Sequence, residues 1–405
     1  MRRTALLLSL VGLGCAPDAP ARRDVASLSA AELTELTDAI VALKDSPPLW
    51  DYESVCAGNT PSVPLADGAE TYTLNAYDAF VELHLVGAAL AAWKMTTVDP
   101  DSTAPDSRLH MSATFLPWHR QFLLRFEEAL QTVSGNPDLM LPYWDWSDPT
   151  GAGWTQEGTL AIFSPDAFGG VGSSGATPEA VSDGAFVPGV FDVHVQSPDF
   201  TAFAAGPDLS GQSLQERQDA IVPLLVTATC ATLPVTRLNL SLPPPPTAAA
   251  IDALVDGELA YDATPFNMMS DPGQSLRQSL EGFPVYPAAG CAAATAAWDA
   301  EAWDACWNQD QVTAVDMFLF FFGGTMHAAA HGAVGGTMGS YSSPNDPVFF
   351  LHHAQVDRLW AQWQEASGST AADYPAEFAD EALFGFEGVL AEDVWSLEDV
   401  GYRYE

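Results

Sequence analysis

Positive charge is what this 405-residue sequence lacks most. Fourteen Lys+Arg face 53 Asp+Glu, a formal net charge of −39, and lysine occurs only at Lys44 and Lys94. A surface so negative repels phosphate backbones and anionic headgroups, which excludes nucleic acid as a partner. Charged residues of both signs make up only 17% of the chain, so the acidity reflects missing cations as much as added carboxylates. No apolar run reaches the ~20 residues needed to cross a bilayer. Cysteine and histidine are sparse too, at five and eight residues. What is present is apolar matter: 48% hydrophobic and 11% aromatic residues, enough for one core or two subcores. Disordered and fibrous classes are thereby excluded.

The N-terminus reads as an export segment. Arg2 and Arg3 precede an apolar run from Ala5 to Gly14, and small, acidic and proline residues follow. Gly14-Cys15 resembles a bacterial lipoprotein processing site, with Cys15 lipidated. Plain secretion, with cleavage near Ala16 or Ala19, is the alternative. Either way the product is exported, and a lipid on Cys15 is the one expected membrane contact. Removing Cys15 leaves Cys56, Cys230, Cys291 and Cys306, an even number suited to two disulfides in an oxidising compartment. Cys291 with Cys306 is the first pairing expected, and four free buried thiols are the alternative.

Three divisions are expected along the chain: an export segment over 1–15, a tether over 16–30, and one domain over 31–405. Its loop insertions fall near 147–271 and 283–324. The periodicity predicts helices, with few strand signals. Leu33, Leu36, Ile40 and Leu43 share a face between Ser29 and Leu43. Tyr77, Phe80, Val81, His84, Ala88 and Ala91 recur at helical spacing, which turns His84 inward. Pro117 sits in the first turn of a helix carrying His119, Phe122, Phe126, Leu130 and Val133. A third inward helix holds His327 and His331 and stops at Gly335-Gly336; a fourth, capped by Asp346, runs through Phe349, His353, Val356 and Trp360. The fold expected is mainly α, an antiparallel four-helix bundle under long irregular loops.

Seven of the eight histidines, all but His194, lie on or beside these helices. His327 and His331, four apart, stack on one helix face within reach of a single ion. Alone, such a pair is more commonly two core imidazoles. Ala328 stands where a zinc protease needs its glutamate base. An all-nitrogen donor set without thiolate or carboxylate suits redox-active copper better than a hydrolytic metal. His352 and His353 are about 100° apart on a helix, so spacing leaves open which one faces inward.

At these residues the sequence resembles a known family. HMSATFLPWHR (His110 to Arg120), continuing to Glu127, resembles the first copper-binding segment of tyrosinases, catechol oxidases and molluscan haemocyanins. DPVFFLHH (Asp346 to His353), followed by Asp357, resembles their second. LPYWDW (Leu141 to Trp146), SLRQSLEG (Ser275 to Gly282), HAAAHGAVGG (His327 to Gly336) and GYRY (Gly401 to Tyr404) are similar to further landmarks. The likeness spans about Tyr77 to Tyr404, with loose correspondence between Ser147 and Asp271 and between Phe283 and Gly324.

The resemblance implies two copper ions, one on His84, His110 and His119 and one on His327, His331 and His353, with dioxygen as co-substrate. It makes His352 a neighbour and leaves His194 without a role. Asp357, Arg120 and Glu127 are candidates to orient ligands, or else, with Arg358, an ion-pair network between helices. Phe349 is a candidate to face a phenol ring, or else core. Glu281 matches a glutamate that holds a water in tyrosinases, although a long insertion separates it from His327. Ala328 replaces the asparagine that helps that water accept a phenol proton. Arg108 stands where some members have a thioether-forming cysteine, so no crosslink at His110 is expected, nor is autoinhibition by a shielding domain after Tyr404. The implied activity is oxidation of o-diphenols or o-aminophenols to quinones by a polyphenol oxidase. A monophenol-hydroxylating tyrosinase, a haemocyanin-like oxygen carrier and a non-enzymatic lipoprotein are the alternatives. Small phenols and a copper chaperone are the partners implied.

Overall fold

The computed structural model describes residues 19–52, 54, 72–96, 109–147, 162–170, 177–196, 229–238, 246–263, 275–282 and 326–405, with backbone only for 89–96, 229 and 230. Within these, the chain is mainly helical, with few short strands. Helix α1 spans Ala30–Lys44, α2 Ala76–Thr96, α3 Phe115–Ser134, α4 Ala248–Val255, α5 Leu276–Glu281, α6 Met326–Val334, α7 Val348–Ser367 and α8 Leu397–Val400. Helix α1 begins where Ser29 and Glu32 form a reciprocal capping box, and α3 and α7 end at Gly135 and Gly368 in left-handed conformation. Helix α7 starts two residues beyond Asp346, whose carboxylate accepts the Val348 N–H while also binding Arg237.

Helices α2, α3, α6 and α7 form the bundle, and their aromatic side chains build one core. Phe80 of α2 meets Phe122 and Phe126 of α3 edge-on, and Phe126 stacks flat on Phe350 of α7. Helix α1 packs on the outside against α3 and α2. Strand β1 (Ala21–Arg22) pairs in parallel with β6 (Arg403–Tyr404). Strands β2 (Glu179–Ala180) and β3 (Asp192–Gln196) pair antiparallel with β5 (Thr236–Arg237) and β4 (Thr229–Pro234), giving the expected loop region short ribbons of its own. After α6 the chain turns through Gly335 and Gly336, both at positive φ; a Cβ on Gly336 would collide with the Thr236 carbonyl, so glycine lets β5 pass against the helix end. Among the described residues no helix is long and apolar enough to cross a membrane.

The segment expected as a tether is, from Ala19 on, part of the folded body. Arg22 and Val25 are buried, and Arg22 donates to Glu127 (3.0 Å) and Asp357 (3.3 Å). A two-residue strand and a buried guanidinium leave no hydrophobic periodicity to read, which is why local pattern misjudged it. Asp357 also accepts from Arg120 (2.5 Å), Tyr404 (2.6 Å) and Tyr402. This cluster ties the first described residues, α3, α7 and the C-terminal strand together. Burial alone would raise the Asp357 carboxyl; the two arginines and two tyrosine hydroxyls overcome it and hold it below its ordinary range. Residues 1–18, and with them Cys15, lie outside the described residues, as do Cys56, Cys291, Cys306 and Arg108; Cys230 is described by backbone only.

Asp357→Ala strips two buried guanidiniums of their shared acceptor. We expect a loss of about 3–5 kcal/mol in unfolding free energy, measured as a lower urea midpoint. A loss under about 1 kcal/mol would show the cluster to be energetically idle.

Candidate metal centre

Four helices and one loop bring six imidazoles together. Helix α2 supplies His84, the segment before α3 supplies His110, and α3 supplies His119. Helix α6 supplies His327 and His331, and α7 supplies His353. In each of two groups, His84 with His110 and His119, and His327 with His331, His352 and His353, one nitrogen per ring lies within 4.8 Å of the others. The groups adjoin: His119 and His353 stack at 4.2 Å and 11°, and the His110 and His327 rings are 5.7 Å apart.

Most of these rings have their tautomer set by the chain. His84 Nδ1 faces the Tyr341 carbonyl (2.8 Å), His119 Nδ1 that of Phe115 (2.8 Å), His327 Nδ1 that of Glu281 (3.0 Å) and His331 Nδ1 that of Met338 (2.8 Å). A carbonyl only accepts, so each Nδ1 carries the hydrogen and each Nε2 presents a lone pair. His110 Nδ1 faces the Glu281 carboxylate at 3.3 Å, with the same result. His353 has neither nitrogen partnered and is held by packing on His119 and Phe349.

Lone pairs brought face to face need a cation between them. His84 and His110 place their Nε2 atoms 3.2 Å apart, and His327 and His331 place theirs 3.1 Å apart. Two nitrogens on one ion, at bonds of about 2 Å and an angle near 100°, stand about 3.1 Å apart. The buried Nε2 atoms of His119 and His353, which have no hydrogen-bond partner, complete the two sets. Burial lowers all these imidazoles, His110 to about 3 and His331 to about 4, so they are neutral ligands at physiological pH. Neutral imidazole without thiolate suits copper.

Glu281, whose place the long insertion left open, lies in the centre. One oxygen, Oε1, faces His110 and accepts the Met111 N–H (2.6 Å), while Oε2 accepts from Arg277 (3.2 Å). Met111 has φ +56°, a left-handed conformation uncommon for a side chain of this size, and the carboxylate pins it there. Phe349, expected as a substrate-facing ring or else as core, is 0% exposed and packs against the His84 and His353 rings, so it forms part of the buried core around the ligands. Arg120, Glu127 and Asp357 form no hydrogen bond or ion pair with the imidazoles. They form the interhelix cluster described above, and Arg358 lies outside it, 3.4 Å from Asp145. His194 sits on β3 against Tyr72. Sequence reasoning missed the Tyr341 and Met338 carbonyls, which carry no side-chain signature. It also missed Arg277, although Arg277 and Glu281 are spaced i,i+4.

Two adjoining sets of neutral imidazoles inside a helical bundle define a dinuclear, histidine-only metal protein. The family model for the common central domain of tyrosinase matches residues 74–366, and the chain belongs to that family, which implies a dinuclear copper centre and an oxidase. It is 30% identical to the grixazone synthase of Streptomyces griseus, over 71% of this chain and 74% of that one. Identity is also 30% with the tyrosinase of Streptomyces antibioticus, over 73% and 74% of the two chains. A polyphenol oxidase from Thermothelomyces thermophila shares the fold, with TM-score 0.51 and 20% identity over 96% of this chain and 90% of that one.

The lowered imidazoles set a pH dependence. A ring neutral in the fold but free to ionise when unfolded gives the unfolded chain more protons, so stability rises with pH across the window. The metal-free protein should therefore melt progressively lower as pH falls from about 6.5 towards 4. Copper loading should raise the melting temperature at each pH. Differential scanning fluorimetry of both forms checks this, and a flat metal-free profile would contradict it.

Proposed function

We propose that this protein oxidises o-diphenols or o-aminophenols to the corresponding quinones or quinone imines with dioxygen. His84, His110 and His119 hold one copper, and His327, His331 and His353 the other. When bound, the copper pair relays electrons from the phenol to dioxygen: two diphenols lose four electrons and four protons, and one dioxygen becomes two waters. The chain's own residues do the rest. Five neutral imidazoles fixed at Nδ1, with His353 held by packing, present six preorganised donors. Phe115 and Phe349, both buried, wall the centre with apolar surface.

The observation that carries the diphenol reading is how fully Glu281 is engaged. Met111, His110 and Arg277 take its two oxygens, and Ala328, after His327, offers no side-chain acceptor. Hydroxylating a monophenol requires removal of a poorly acidic phenolic proton beside the metal, whereas a catechol is more easily deprotonated. We read Glu281 as a positioning residue for His110. In this reading residues 1–15 direct export, the activity lies outside the cytoplasm, a chaperone delivers copper, and a lipid on Cys15 anchors the protein.

Initial rates on a catechol, an o-aminophenol and a tyrosine analogue test this. The first two should turn over, and the monophenol should lag by about 10²-fold or more. Equal rates would overturn the preference, and reversible oxygen binding without turnover would indicate a carrier. Glu281→Gln should weaken copper retention by about 10–100-fold, read by chelator competition. Unchanged retention would remove Glu281 from the metal shell.

A further inference from the structure

Geometry alone allows the second centre four ligands, because His352 brings a nitrogen as close as His327, His331 and His353 do. Its ring lies flat against His327, 5.1 Å away at 19°, and edge-on to His331 at 4.7 Å. A fourth imidazole would crowd an ion that must still accept oxygen and substrate. Something has to keep it off the metal.

The difference between His352 and its neighbours is where its hydrogen sits. The indole of Trp146 in the LPYWDW stretch is fully buried, and its Nε1–H donates to His352 Nδ1 at 3.1 Å. An indole N–H is a donor only, so His352 Nδ1 must be the unprotonated nitrogen. The hydrogen of a neutral ring is then on Nε2, which is buried and has no hydrogen-bond partner. An N–H has no lone pair for a metal. The four carbonyl-bound rings nearby are the opposite tautomer, with hydrogen on Nδ1 and Nε2 open.

We propose that Trp146 is a positioning residue that excludes His352 from coordination by holding it as the Nε2–H tautomer, so that the second metal takes three imidazoles and His353 is the third. This rests on the copper reading above. Two consequences separate the pair HH by a proton and not by distance. His352 is a donor inside the centre, and His353, with neither nitrogen engaged, is the ring free to bind.

Copper per chain in the full-length protein tests both layers. The wild-type protein should hold two coppers, and failure there would sink the copper reading itself. His352→Gln should also hold two, and loss of the second copper would overturn the exclusion. His353→Ala should hold one, because Trp146 still keeps His352 out. Adding Trp146→Phe to His353→Ala frees the His352 tautomer and should restore the second copper; a double variant that folds and still holds one overturns the role of Trp146. Should that variant fail to fold, ¹⁵N-histidine spectra of the diamagnetic Cu(I) wild type decide, with His352 assigned by its absence in His352→Gln. Unprotonated Nδ1 and protonated Nε2 are expected, and the reverse tautomer overturns the proposal.

Discussion

A neutral imidazole has one lone pair and one hydrogen, and the whole centre depends on which nitrogen carries which. Backbone carbonyls of Phe115, Glu281, Met338 and Tyr341 take the Nδ1 hydrogens of four rings, and the Glu281 carboxylate takes that of His110. Each carbonyl belongs to a segment whose position the fold must fix to within a few tenths of an ångström. The helical bundle, the loop through Tyr341 and the short helix α5 are therefore parts of one coordination device. Deep burial keeps protons away from the rings and raises the cost of any misplaced polar group.

The scarce cations of this acidic chain are placed where they organise that device. Arg22, Arg120, Arg237 and Arg277 are fully buried, each paired with carboxylate. Arg237 grips Asp346 with two parallel bonds of 2.7 and 2.8 Å and also binds the carbonyls of Phe168 and Gly169, joining an overlying loop to the start of α7. Arg277 supports Glu281 while binding Asp262. Lys44 is held by Asp78 between the rings of Tyr77 and Phe191. With these cations buried, the surface carries fewer still, which accentuates its negative field.

The helices and the inward faces of His84, His119, His327 and His331 were legible because burial imposes a period of 3.6 on apolar residues and leaves the mark in sequence, whereas that period left His352 and His353 undecided. So was the mainly helical class. Arg120, Glu127 and Asp357 were legible as buried charges near the ligands but not as the clamp they form, since their partners Arg22, Tyr402 and Tyr404 come from the two ends of the described chain. The anchoring of residues 19–27 went unseen for the same reason: its signal is a partner hundreds of residues away.

By itself the sequence determined the donor chemistry of the centre, histidine without thiolate, and the helices that carry it, because both follow from residue identity and local periodicity. Only the tertiary structure decided which nitrogen of most rings is open, that Glu281 reaches His110 despite the long insertion before His327, and that Phe349 is buried against the ligating rings. These are matters of which hydrogen-bond partner stands within about 3 Å. That is settled when distant segments meet, not by the order of residues along the chain.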